Sequence, residues 1–87
     1  MYNKGIAGME DLKERVNKVL ARVKGDAKDY LESASLVSGG ILDSIEIMDL
    51  ILELESEFAI SIDSADILLK NFESVNSIAD LVEKSLG

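Results

Sequence analysis

An all-α fold follows from three observations. The chain has no proline and only six glycines, and its apolar residues recur at spacings of three and four along most of its length. Its one alternating stretch, residues 59–63, has no second strand candidate to pair with. The expected architecture is a four-helix bundle with three longer helices and one short third helix. A length of 87 residues suits a single domain over 1–87 with one modest core.

The spacing predicts a first helix over 9–24. Met9, Leu12, Val16, Val19, Leu20 and Val23 form its apolar stripe, with Lys13, Arg15, Lys18 and Arg22 opposite and Gly25 as the stop. Residues 26–42 form a long connection, anchored to the core by Tyr30, Leu31, Leu36, Val37 and Leu42. Its length suggests a functional loop or a short helical turn around 27–33. The second helix is expected over 43–58, with Ile47, Leu50, Ile51, Leu54 and Phe58 facing the core. After an extended link in which Ile60 and Ile62 face inward, a short third helix over 64–69 is capped by Asp63 or Ser64. Phe72 plugs the core. Ser74 then caps the last helix, which turns Val75, Ile78, Leu81, Val82 and Leu86 inward.

The second helix carries more apolar surface than a core-facing side requires. Ile45, Met48 and Leu52 form another stripe almost opposite the first, with Glu46, Asp49 and Glu53 along one edge and Glu55 along the other. Exposed apolar area rimmed by charge marks a contact site. Burial of the helix on both sides is the plainer alternative, but a domain of this size has few elements to cover two faces.

Charge placement narrows the choice of partner. Nine Lys and Arg against seventeen Asp and Glu give a net charge of −8, and eight of the acids lie between positions 39 and 69, where no base occurs. Such a field repels nucleic acid and anionic membrane and steers basic protein surfaces inward. There is no cysteine and no histidine, which removes disulfides, thiolate metal sites and the commonest general base. No apolar run reaches the length of a membrane span, and Met1-Tyr2-Asn3-Lys4-Gly5 does not resemble a signal peptide. A cytoplasmic monomer is the expectation.

The chemistry concentrates at Asp43-Ser44, after the Gly39-Gly40 loop. With Asp43 as N-cap, its carboxylate accepts first-turn amides and Glu46 reaches back in a capping box. Ser44 then occupies the first helical position with its hydroxyl toward solvent. The alternative is that Ser44 is itself the cap and nothing more. The context favours the first arrangement, because a phosphodiester on Ser44 would lie by the positive end of the helix dipole. The acidic and apolar stripes also run away from Ser44 along the same helix, where an enzyme acting on it would dock.

Leu42-Asp43-Ser44-Ile45, followed by Glu46-Ile47-Met48-Asp49-Leu50-Ile51-Leu52-Glu53-Leu54-Glu55-Ser56-Glu57-Phe58, resembles the phosphopantetheine attachment region of acyl carrier proteins. Asn71-Phe72-Glu73-Ser74-Val75-Asn76-Ser77-Ile78-Ala79 is similar to the start of their last helix. Ile45 stands where leucine is usual, and Asp63 where the link often carries proline. The Gly-Gly-Ile-Leu-Asp-Ser run also resembles D-alanyl carrier proteins. The resemblance implies a four-helix carrier on which a phosphopantetheinyl transferase uses coenzyme A and Mg²⁺ to attach 4′-phosphopantetheine to Ser44. The terminal thiol of the arm would hold acyl or aminoacyl groups as thioesters, for fatty acid or polyketide biosynthesis or for D-alanyl or peptidyl transfer. It further implies that Asp43 contacts the transferase or its metal. Ile45, Met48 and Leu52 would fill apolar depressions on partners, while Glu46, Asp49 and Glu53 meet their Arg and Lys residues. The chain itself would catalyse nothing.

Three other readings compete. An EF-hand started at Asp63 fails, since Ala65 and Ile67 fill the third and fifth positions and Leu68 the sixth. A hydrolase lacks a histidine or a Ser-x-x-Lys pair to activate Ser44. A non-catalytic acidic helical adaptor shares every feature except the need for Ser44.

Overall fold

The computed structural model describes residues 7–26 and 28–86, with side chains from Asp11 onward. Three α-helices carry the fold: α1 (Ala7–Lys24), α2 (Ser44–Phe58) and α3 (Val75–Leu86). Helix α1 packs against both α2 and α3, and the described residues contain no strand. Met9 has its backbone in α1, but its side chain, like residues 1–6, Ala27 and Gly87, lies outside the described residues.

Each helix buries one stripe. Leu12, Val16, Val19 and Leu20 of α1 meet Ile47, Leu50, Ile51, Leu54 and Phe58 of α2, and Val75, Ile78, Ala79, Leu81 and Val82 of α3 close the third side. Apart from Ala79, these are the positions the 3–4 spacing selects, because burial of one apolar face stabilises short helices more than intrinsic propensity does. Phe72 is fully buried, as expected of a plug. Ser74 caps α3, its Oγ accepting from the Ser77 amide at 3.0 Å. Val23 and Ile60 are half-buried and pack against the edge of the core, whereas Leu86, expected inward, is exposed.

Charge pairs join α1 to α2 outside the core. Arg15 donates to the Glu57 carbonyl and carboxylate, each at 3.2 Å, and stacks with its guanidinium carbon 4.4 Å from the Phe58 ring centroid. Arg22 reaches Glu53 at 3.2 Å and Glu57 at 3.3 Å. The two arginines hold the Glu57 carboxyl below its ordinary range.

The expected short third helix over 64–69 is not a continuous α-helix, and among the described residues the bundle has three α-helices. Its place is taken by two 3₁₀ turns, Ser64–Asp66 and Leu69–Phe72. Asp63 caps the first turn, accepting from the Ala65 amide at 3.0 Å. The Asp66 carbonyl, which a helix would give to the amide four residues on, instead accepts from the Leu68 amide at 2.9 Å and from Asn71 Nδ2 at 2.7 Å. Ile67, at φ −83° and ψ 76°, is thereby folded into an inverse γ-turn. Lys84 holds the Asp66 carboxylate at 2.8 Å and ties the segment to α3. Ile67, Leu68 and Leu69 are all exposed. With no stripe to bury, the segment gains nothing from continuous helix.

The connection over 26–42 is also not helical around 28–33. Tyr30, Leu36 and Leu42 anchor it in the core, with Leu31 and Val37 packed against its edge. Tyr30 Oη donates to the Asp26 carboxylate at 2.8 Å. Burial, and after it the Asp26 bond, pushes the phenol up to about 12.

Candidate functional site

The site is the N-terminus of α2 and the turn that feeds it. Asp43 is the N-cap: its Oδ1 accepts from the Glu46 amide at 2.8 Å, and Glu46 Oε1 accepts from the Asp43 amide at 3.1 Å. This reciprocal pair is the capping box expected from the sequence. Because Asp43 performs the capping, the Ser44 hydroxyl is left over. Ser44 is exposed, and its Oγ makes no hydrogen bond among the described residues. The Ser44 and Ile45 amides likewise meet no acceptor among the described residues. A phosphate esterified at Ser44 thus fits this end of the helix, where free amides and the dipole favour negative charge.

A tight turn over 35–42 delivers the chain to Asp43. The Gly39 amide donates to the Ser35 carbonyl at 2.7 Å, the Gly40 amide to Val37 at 3.1 Å, and the Leu42 amide back to Leu36 at 2.7 Å. The Gly39-Gly40 pair is needed within the chain itself. A Cβ on Gly39 would lie 2.5 Å from the Ser35 carbonyl oxygen, and Gly40 has φ +79°.

Two residues not singled out by the sequence reading hold this turn. Glu73, just before α3, accepts through its carboxylate from the amides of Val37 at 3.1 Å and Ser38 at 3.2 Å and from the Ser38 hydroxyl at 3.3 Å. Its carbonyl takes the Leu36 amide at 2.8 Å. Lys24, at the end of α1, donates to the Ile41 carbonyl at 2.6 Å and to Glu46 Oε2 at 2.9 Å.

The second stripe of α2 faces solvent. Ile45, Met48 and Leu52 are 74%, 63% and 64% exposed. The acids along its edge are not equivalent. Asp49 is exposed, and its carboxylate makes no hydrogen bond or ion pair among the described residues. Glu53 is shared with Arg22, and a shallow groove of about 410 Å³ lies between Arg22, Val23, Asp49, Leu52 and Glu53. Glu46 is turned inward, both carboxylate oxygens engaged by Asp43 and Lys24. Asp43, Ser44, Ile45, Met48, Asp49 and Leu52 therefore share one exposed surface, while Glu46 serves the helix end beneath it.

Comparison with known proteins decides the family. The model for the phosphopantetheine attachment site matches residues 10–82. The chain belongs to the acyl carrier protein family. It is 31% identical over 83 residues to the acyl carrier protein of Thermotoga maritima, covering 94% of this chain and all of that one. It is 30% identical over 77 residues to the acyl carrier protein of Buchnera aphidicola, covering 87% and 96%. Members of this family carry acyl groups on 4′-phosphopantetheine and are carriers, not catalysts. The absence of cysteine is consistent with this role, since the reactive sulfur belongs to the cofactor. No helix among the described residues is long and apolar enough to cross a membrane.

Proposed function

We propose that this carrier receives 4′-phosphopantetheine on Ser44, carries acyl groups as thioesters on the arm's thiol, and delivers them to partner enzymes. In the attachment step the Ser44 oxygen forms a bond to the phosphorus bearing the pantetheine. The bond from that phosphorus to the adenosine bisphosphate half of coenzyme A breaks, and the hydroxyl proton passes to the transferase. The observation that carries the reading is the division of labour at the helix end: Asp43 caps, which leaves the neighbouring hydroxyl outward and unengaged.

Partners dock on the face that runs down α2 from Ser44. Ile45, Met48 and Leu52 supply its apolar centre. Asp49 and Glu53 supply charge for basic residues of the transferase and of the enzymes that load and unload the arm. Exposed acids of this kind raise encounter rates more than affinity, which suits a carrier that must dissociate after each transfer.

A thiol titration tests the attachment. The apo chain contains no sulfhydryl, so incubation with coenzyme A and a broad-range phosphopantetheinyl transferase, followed by desalting, should produce one thiol per chain. Ser44→Ala should produce none. No thiol on the wild-type chain, or an equal yield from the variant, would overturn the assignment.

A further inference from the structure

We propose that Lys24 is a positioning residue for the reaction at Ser44, and that Glu46 acts with it as an internal strut rather than as a docking acid. This rests on Ser44 being the attachment residue. The Lys24 ammonium bridges both sides of that serine, to the Ile41 carbonyl at 2.6 Å and to Glu46 Oε2 at 2.9 Å. The other Glu46 oxygen holds the Asp43 amide at 3.1 Å. One cation from the end of α1 thus fixes the incoming turn, the N-cap and the first turn of α2 relative to one another.

Burial separates this pair from the Arg22–Glu53 pair along the same edge. The Lys24 and Glu46 side chains are 22% and 26% exposed, whereas Arg22 and Glu53 are 52% and 48% exposed. An exposed pair exchanges readily with a partner's cation. For Glu46 to turn outward to a partner's Arg or Lys, it would have to abandon a half-buried ammonium and half of the capping box together. Its contribution is therefore orientation: it holds the hydroxyl in one geometry against an incoming phosphoryl group, where small displacements slow a bimolecular step.

The two roles predict opposite signs for one substitution. Lys24→Met keeps the stem and makes the carrier more acidic, so long-range steering alone would speed modification by a basic transferase. Loss of the strut slows it. The experiment measures kcat/KM for arm transfer from coenzyme A to the full chain, with wild type, Lys24→Met, Lys24→Arg, Glu46→Gln and the Lys24→Met/Glu46→Gln double variant. Circular dichroism confirms that each is helical. Lys24→Met and Glu46→Gln should each lower kcat/KM by roughly three- to tenfold, and the double variant should fall no further than the worse single one. Lys24→Arg should restore at least half the rate. Asp49→Asn, in contrast, should flatten the salt dependence of the rate more than Glu46→Gln does, because Lys24 already offsets the Glu46 charge. A Lys24→Met chain modified as fast as wild type or faster, or strictly additive losses, would overturn the strut while leaving Ser44 as the attachment residue. A wild-type chain that accepts no arm would instead remove the Ser44 assignment, and the strut with it.

Discussion

Replacing Glu73 with alanine removes the only carboxylate, among the described residues, that holds the turn over 35–42 from the α3 side. Three donors lose their acceptor: the Val37 amide at 3.1 Å, the Ser38 amide at 3.2 Å and the Ser38 hydroxyl at 3.3 Å. The backbone bond from the Leu36 amide to the Glu73 carbonyl remains. Hydrogen bonds to a charged acceptor each contribute about 1.5–3 kcal/mol where water is excluded. Here Ser38 is exposed and Val37 half-buried, so water replaces much of what is lost. A net destabilisation of about 1.5 kcal/mol is expected, which for a domain of this size lowers the melting temperature by roughly 6–12 °C. Urea unfolding followed by circular dichroism should show the midpoint shifted and the slope unchanged. Glu73→Gln, which retains one acceptor oxygen, should fall between alanine and wild type. A Glu73→Ala unfolding free energy within about 0.5 kcal/mol of wild type would refute the assignment of Glu73 as the clamp on this turn.

Further expectations concern the backbone, the buried phenol and the exposed stripe. Ala59 ends α2 in the left-handed region at φ 54°, so Ala59→Gly should stabilise the domain by about 1 kcal/mol in the same urea assay. Gly40→Ala should cost about 1–2 kcal/mol through conformation alone, since nothing lies within 4 Å of the added Cβ. The raised Tyr30 pKa means that the folded state favours the neutral phenol. Its contribution is complete below the ordinary tyrosine value and is lost as pH rises through about 12, an alkaline limb that Tyr30→Phe should remove in pH-dependent unfolding. Met48→Ser and Leu52→Ser should leave stability within about 0.5 kcal/mol of wild type while raising the KM of the transferase for the carrier; a loss of stability with unchanged KM would place the stripe in the core.

Much of the fold was legible because it depends on local spacing. The stripes of α1, α2 and α3 repeat at the helical period. The Asp43–Glu46 box spans three residues, so its partners are visible to each other in the sequence. The second apolar stripe of α2 was equally legible, since Ile45, Met48 and Leu52 cannot share a face with Ile47, Leu50 and Leu54.

What was missed depends on contacts distant along the chain. The 64–69 segment reads as a capped helix until Asn71 and Leu68 claim the Asp66 carbonyl and Lys84 its carboxylate. Glu73 meets Ser38 across 35 positions. Lys24 meets Glu46 across 22. Glu46 thus reads as both capping partner and edge acid until that pairing is seen. The double glycine likewise reads only as a loop, whereas the Ser35 carbonyl gives Gly39 a reason inside the chain.

Fragmentation mass spectrometry of the modified carrier tests the central claim most directly, because it reports which oxygen bears the arm. The fragment series through Asp43-Ser44-Ile45 should place a single 4′-phosphopantetheine on Ser44, with Ser33, Ser35, Ser38 and Ser56 unmodified. An arm on any other side chain, or none after exhaustive reaction, would contradict the account.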